Sequence, residues 1–214
     1  MCGRITLTRP NFEPIATELN VAAMNYRGYP IFKPRYNVAP TDTLPILTLQ
    51  EGERHISPMA WGTIPKNRRG MVINGRSESF PPRSPRVRGD HRWLVRVERT
   101  EGRAAASLVP SAGSCSRRPS RDVEDAAAAH GTFAQAFVLL TTRANGVMTQ
   151  VHDRMPVVLE ESSLDAWMDP KAGEASLRTM LRPAPEDWPI AERASPLVNN
   201  VKNDGPELLG GLLG

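Results

Sequence analysis

A single soluble globular domain that mixes short strands with helices is the fold expected of this chain, and three observations lead to it. Its 214 residues are 40% hydrophobic and 23% charged, enough to bury one sizeable core. Strand-like runs (Ile46 to Leu49, Ala134 to Thr142, Met155 to Leu159) are interspersed with helical patterns (Asn11 to Ala23, Glu160 to Met168). The longest apolar stretches, Phe137 to Leu140 and Met155 to Leu159, are far too short to cross a bilayer, and the start Met-Cys-Gly-Arg lacks the apolar core of a signal peptide. No membrane association is expected.

Each element has a local reason. Asn11 can cap a helix whose Phe12, Ile15, Leu19 and Val21 to Ala23 fall roughly on one face. Ile46 to Leu49 is mostly apolar and β-prone, and Met71 to Ile73 is a short run before Asn74-Gly75. Ala134 to Thr142 reads as a buried strand, and Met155 to Leu159 as a second with Pro156 at its edge. Glu160 to Met168 reads as a helix capped by Ser162 or Ser163, with Leu164, Trp167 and Met168 inward. Asp187 to Ile190 and Pro196 to Val201 are expected as short extended pieces. Between Pro81 and Ala129 the character changes: ten arginines, no lysine and little periodicity suggest a loop or an insert without regular structure. So long a loop is unusual inside one domain.

Charge and cysteine content narrow the function classes. The formal charge of +4 and a pI near 9.4 permit a polyanionic partner without requiring one. The 23 arginines against four lysines reflect a GC-rich coding sequence more readily than one site. Two cysteines, Cys2 and Cys115, make neither a disulfide framework nor a zinc centre. No metal and no cofactor is called for.

Cys2 is the first residue suited to chemistry. Removal of Met1 would leave a terminal cysteine whose α-amine, with a reference pKa of about 7.7 to 8.0, is partly neutral near pH 7 and can attack an aldehyde. The neighbouring thiolate can then close a thiazolidine ring. The plainer reading is a residue on a frayed terminus. His152, in Val-His-Asp-Arg-Met-Pro, is a candidate proton shuttle or an exposed turn histidine. Asn74 can orient a substrate through its amide, or simply make the Asn-Gly hairpin turn. Arg76 and Arg154 can grip phosphates or be solvated, and Trp61 can stack on a base or belong to the core.

Taken together, the strings Met-Cys-Gly-Arg, Arg35-Tyr36-Asn37-Val38-Ala39-Pro40-Thr41, Trp61-Gly62 with Ile64-Pro65, Asn74-Gly75-Arg76-Ser77-Glu78, His152-Asp153-Arg154-Met155-Pro156 and Asn200-Val201-Lys202-Asn203 carry more. In order and distribution this set resembles the SOS-response-associated peptidase (SRAP) family, whose members trap abasic sites in single-stranded DNA. The resemblance implies one α+β domain over residues 1–214, with antiparallel strands in a barrel-like core flanked by helices and a DNA-binding cleft. It implies that Cys2 is the nucleophile, that Asn74 positions the reacting terminus and sugar, and that His152 transfers protons. It implies phosphate contacts from Arg76 and Arg154, and a cleft wall that includes Asn37, Pro40 and Trp61. The partner it implies is single-stranded DNA containing abasic sites, bound by a monomer in a bacterial cytoplasm and associated with the nucleoid when engaged.

The middle departs from the family. An aromatic-Tyr-Glu-Trp string, whose glutamate acts beside the cysteine, is missing, and Arg92-Trp93-Leu94-Val95-Arg96-Val97-Glu98 stands instead. A permitted coding of Trp93 to Val97, TGG-TTG-GTA-CGA-GTG, reads Gly-Trp-Tyr-Glu in its +1 frame. Residues 81–129 are therefore read as out of frame, with Arg96 at the position of the glutamate. The function expected is formation of a covalent thiazolidine link to abasic sites, with autoproteolytic and AP-lyase chemistry. The alternatives are a cysteine peptidase built on Cys2 and His152, and an inactive DNA-binding remnant.

Overall fold

The computed structural model describes residues 3–8, 16–17, 19–21, 33–62, 70–79, 93–96, 105–110, 136–187 and 195–209. Cys2 lies outside the described residues, as do most of the helix expected from Asn11 and the piece from Trp188 to Ile190; of the former, Ala16 and Thr17 are helical.

Strand β1 (Ile5–Leu7) pairs antiparallel with β2 (Arg35–Val38), Ile5 opposite Val38. Strands β3 (Thr43–Gln50) and β4 (Glu53–Trp61) form a hairpin in continuous register from Thr43↔Ala60 to Gln50↔Glu53. The two connecting residues, Glu51 and Gly52, have φ of 51° and 84°. Two successive positive φ values match the twist of a hairpin, and a glycine at the second position relieves the steric cost there.

The remaining strands are β5 (Asn74–Arg76), β6 (Trp93–Arg96), β7 (Ala105–Pro110), β8 (Ala136–Arg143), β9 (Arg154–Pro156) and β10 (Val158–Leu159). Pairing runs β6-β3-β4-β8, and β7 bonds to β6, β8 and β10, so the sheet curls as a half-barrel. Strand β8 is its hub, with β4 and β5 along one edge and β7 and β9 along the other. The pairings of β8 with β4 and β5 are parallel, which corrects the expected all-antiparallel sheet. Parallel neighbours need a long return connection, and the chain between Arg76 and Ala136 supplies one.

Among the described residues, three complete short helices accompany the sheet: α1 (Gly146–Thr149), α2 (Leu164–Met168) and α3 (Glu174–Met180). Side chains alternate between the faces of each strand, and two apolar clusters follow. Leu44, Ile46, Met59, Trp61, Phe137 and Leu139 pack with Ile5, Leu7 and Val38. Leu47, Ile56 and Leu140, from the opposite faces, pack against Leu164, Trp167 and Met168 of α2 and Leu177 of α3. Among the described residues no helix is long and apolar enough to cross a membrane.

Several local expectations are corrected. The segment expected to lack regular structure contributes β6 and β7, with Trp93 opposite Leu108 and Leu94 opposite Leu47 of β3. Short β-prone runs become strands when distant strands offer edges to pair with. The run Met155 to Leu159 breaks at Val157, whose N–H donates to Leu140 O across 2.9 Å, so β9 and β10 serve different neighbours. Ser163 precedes α2 without making a side-chain cap. Pro196 to Asn199 is a 3-10 turn, not an extended piece, because Ser195 Oγ accepts from Leu197 N and Pro196 occupies the first turn, where its missing N–H costs nothing.

Candidate functional site

The Asn74-Gly75 pair makes strand, not the hairpin turn its sequence also allowed. Strand β5 lies parallel to β8 with Asn74↔Leu139, Gly75↔Leu140 and Arg76↔Thr141. A Cβ on Gly75 would sit 3.4 Å from Leu140 Cδ2, so the missing side chain lets β5 lie close. Thr141 Oγ1 donates to Gly75 O at 3.1 Å. The strand thus holds Asn74 and Arg76 two residues apart, and the Arg76 side chain is exposed.

Trp61 sets the position of this strand from behind. It is fully buried, and its Nε1 donates to Ile73 O at 3.0 Å, the carbonyl immediately before Asn74. Leu139 N donates to the same carbonyl. Stacking on a base is not open to Trp61 in this conformation, because its indole fills the apolar interior beside Phe137 and Met59. Pro40 is half-buried in the turn from β2 to β3. There Asp42 N donates to Ala39 O, and Asp42 Oδ2 accepts from Ala39 N at 2.9 Å. Thr41 in that turn has φ of 83°, a strained conformation for a β-branched residue, and its N–H donates to Trp61 O.

Asn37 is also fully buried. Its Nδ2 group lies within hydrogen-bond distance of the carbonyls of Val198, Asn200 and Asn203, at 2.9 to 3.1 Å, and so fastens the Asn200-Val201-Lys202-Asn203 string to β2. Asp204 completes the fastening by accepting from Tyr36 N and Asn37 N and pairing with Arg35, which also pairs with Asp42. Arg4 reaches Val198 O and Asn199 O, which brings the start of the described chain to the same segment.

Arg154 lies on the other edge of β8, opposite Arg143. Its guanidinium grips Glu78 with two bonds, Nη1 to Oε1 at 2.5 Å and Nη2 to Oε2 at 2.9 Å, and Nη2 also donates to Thr141 O. The Glu78 carboxyl is held down to about 2, chiefly by the Arg154 hydrogen bonds and further by the charges of Arg154 and Arg76. Arg154 is therefore neutralised in this conformation. A phosphate would reach it by sharing or displacing Glu78.

His152 lies just before β9, its N–H held by Met148 O at 2.9 Å at the end of α1. Its Nδ1 accepts from Arg154 N at 3.0 Å and is 2.6 Å from an Asp153 carboxylate oxygen. Both contacts fall on Nδ1, so the ring is oriented by its own neighbours in the chain. Register thus sets Arg76, Thr141 and Pro156 side by side across β5, β8 and β9, with Asn74 two residues from Arg76 along β5, and the Glu78–Arg154 pair joins β9 to the turn after β5. His152 joins this set through the backbone of Arg154, and not through a strand pairing of its own.

Sequence reasoning assigned no role to Glu78, although it ends the same Asn-Gly-Arg-Ser-Glu string. Its partner is 76 residues away, so no local signal links them. The Glu78 pair has a definite pH signature. Because its folded-state pKa is depressed, its stabilisation is complete above the ordinary carboxylate value of 4.5 and is lost as pH falls toward 2. Glu78 is half exposed, so the contribution is at most about 1 kcal/mol after solvent screening. Urea melts of the wild type and Glu78→Gln should differ above about pH 5 and converge below it; a constant difference across that range would contradict the pairing.

Among the described residues, no group of three or more His, Cys, Asp or Glu is placed to hold a metal.

Comparison with known proteins agrees with these motifs. The chain matches the SOS response associated peptidase (SRAP) family over residues 1–88 and 90–201. It is 27% identical to the abasic site processing protein YoqW of Bacillus subtilis over 98% of this chain and 99% of that one. It is 26% identical to the abasic site processing protein YedK of Escherichia coli, again over 98% and 99% of the two chains. Among solved structures, a phage-related protein of Bordetella bronchiseptica superimposes with a TM-score of 0.61 at 20% identity, covering 90% of this chain and 96% of the other, a likeness of fold. The motifs at β2, β5 and β9 and a match across nearly the whole chain lead to one conclusion: the protein belongs to the SRAP family.

Proposed function

We propose that this protein processes abasic sites in single-stranded DNA by forming a covalent thiazolidine link through Cys2. The observation that carries the reading is the set held by β8, with Asn74 and Arg76 on one edge and Arg154 and the neighbouring His152 on the other. The names of the YoqW and YedK relatives support it. An abasic deoxyribose in its open form offers an aldehyde at C1′. The α-amine of Cys2 attacks that carbon, water leaves as the Schiff base forms, and the Cys2 thiolate adds to the imine carbon to close the ring. His152 moves the protons in these steps, and Asn74 holds the reacting groups in place. Strand cleavage by β-elimination branches from the Schiff base, which gives the lyase chemistry. Exposed Arg76 holds a flanking phosphate, a contact that positions the strand without reading its sequence. Monomeric action and attachment to the bacterial nucleoid when engaged belong to the same proposal.

Incubation with a single-stranded oligonucleotide containing one abasic site should give a slower band on a denaturing gel, and an undamaged oligonucleotide should not. Absence of that band together with cleavage of a peptide library would favour the cysteine peptidase reading instead.

A further inference from the structure

We infer that a second phosphate-binding subsite lies beside Arg154, built by Arg143 at the end of β8 and Arg178 of α3; the inference rests on the DNA reading above and extends it. A cleft of about 280 Å³ is lined by Ser77, Glu78, Thr142, Arg143 and Arg178, among others. It adjoins the candidate site and shares Glu78 with it, Ser77 following Arg76 in the chain and Thr142 following Thr141.

Its charge is unbalanced in a particular way. Arg143 and Arg154 are direct cross-strand partners. Directly opposed residues share a face, and like charges in that arrangement are destabilising. Both oxygens of Glu78 are taken by Arg154. Arg143 is exposed and has no carboxylate partner among the described residues. Arg178 gives only its Nε to Glu174, at 2.9 Å, which leaves its terminal nitrogens without a partner among the described residues. An anion entering the cleft would meet the two-pronged guanidinium donors of Arg143 and Arg178, which suit phosphate.

Spacing ties the anion to the same strand of DNA. Arg76 is in register with Thr141, and Arg143 is two residues further along β8, about 7 Å at strand rise. A separation of that order is the scale of neighbouring phosphates along one extended single strand. Arg143 therefore addresses a phosphate one or two nucleotides from the one at Arg76, on one flank of the lesion.

The test measures binding of labelled single-stranded oligonucleotides that carry a stable tetrahydrofuran abasic analogue. One has long flanks, and two others are cut back on either the 5′ or the 3′ side. Arg143→Ala should bind the long oligonucleotide several-fold more weakly, with the slope of log affinity against log salt smaller by about 0.7. The deficit should vanish on one of the two shortened substrates, and Arg143→Lys should restore most of the slope. Arg76→Ala, by contrast, should lose slope on all three. Equal slopes for Arg143→Ala and the wild type, or a deficit that persists equally on both shortened substrates, overturns the subsite alone. A wild type that binds none of the three at low salt overturns the DNA reading and this inference with it.

Discussion

Replacing Cys2 by alanine should abolish the stable protein–DNA adduct, a fall on the order of 10³-fold or more in its rate of formation, because no other group supplies an amine and a thiol on one carbon framework. Cys2→Ser separates the two steps. It keeps the α-amine, so Schiff-base formation and strand cleavage persist, while the hydroxyl closes no ring of comparable stability. A tag left ahead of Cys2 blocks the amine and should remove both activities. Denaturing gels that score adduct and cleaved strand in the same lanes provide the measurement. Wild-type levels of stable adduct from Cys2→Ala would reject the mechanism outright.

Restoring the reading frame of the middle segment should raise adduct formation by about 10² to 10⁴-fold, the usual worth of a positioned general acid or base. The resemblance puts the family's glutamate where Arg96 stands, at the end of β6 and opposite Ala105 of β7. A guanidinium there offers no proton acceptor and opposes the positive charge of an iminium. A version with Trp-Tyr-Glu-Trp around this position should also melt at a higher temperature, because the family pattern would then run through the segment. Equal rates and equal melting temperatures for the two chains would make the segment a genuine variant.

The two arginines expected to hold phosphates stand differently in the fold. Arg76 is exposed at the end of β5, whereas Arg154 already holds Glu78 with both terminal nitrogens. A phosphate at Arg154 would therefore share or displace Glu78. Nothing of that kind is required at Arg76.

What the sequence determined by itself was local. Periodicity was sufficient for β3, β8 and the inward Leu164, Trp167 and Met168 of α2, because apolar spacing along one segment decides which face is buried. The motif strings were sufficient for the family, because their residue types and order survive without any knowledge of contacts. Tertiary structure alone decided the rest. Asn74-Gly75 had equal local claim to a turn, and the free edge of β8 made it strand. Trp61 could locally stack on a base or belong to the core, and the resemblance put it and Asn37 in a cleft wall; packing made one a buried prop for Ile73 and the other a clasp for residues 198–203. The Glu78–Arg154 pair and the opposition of Arg143 to Arg154 arise only when β5, β8 and β9 are laid side by side. Each depends on backbone pairing between segments far apart in the chain, and the energy that selects such pairings belongs to the assembled sheet, not to any one segment of sequence.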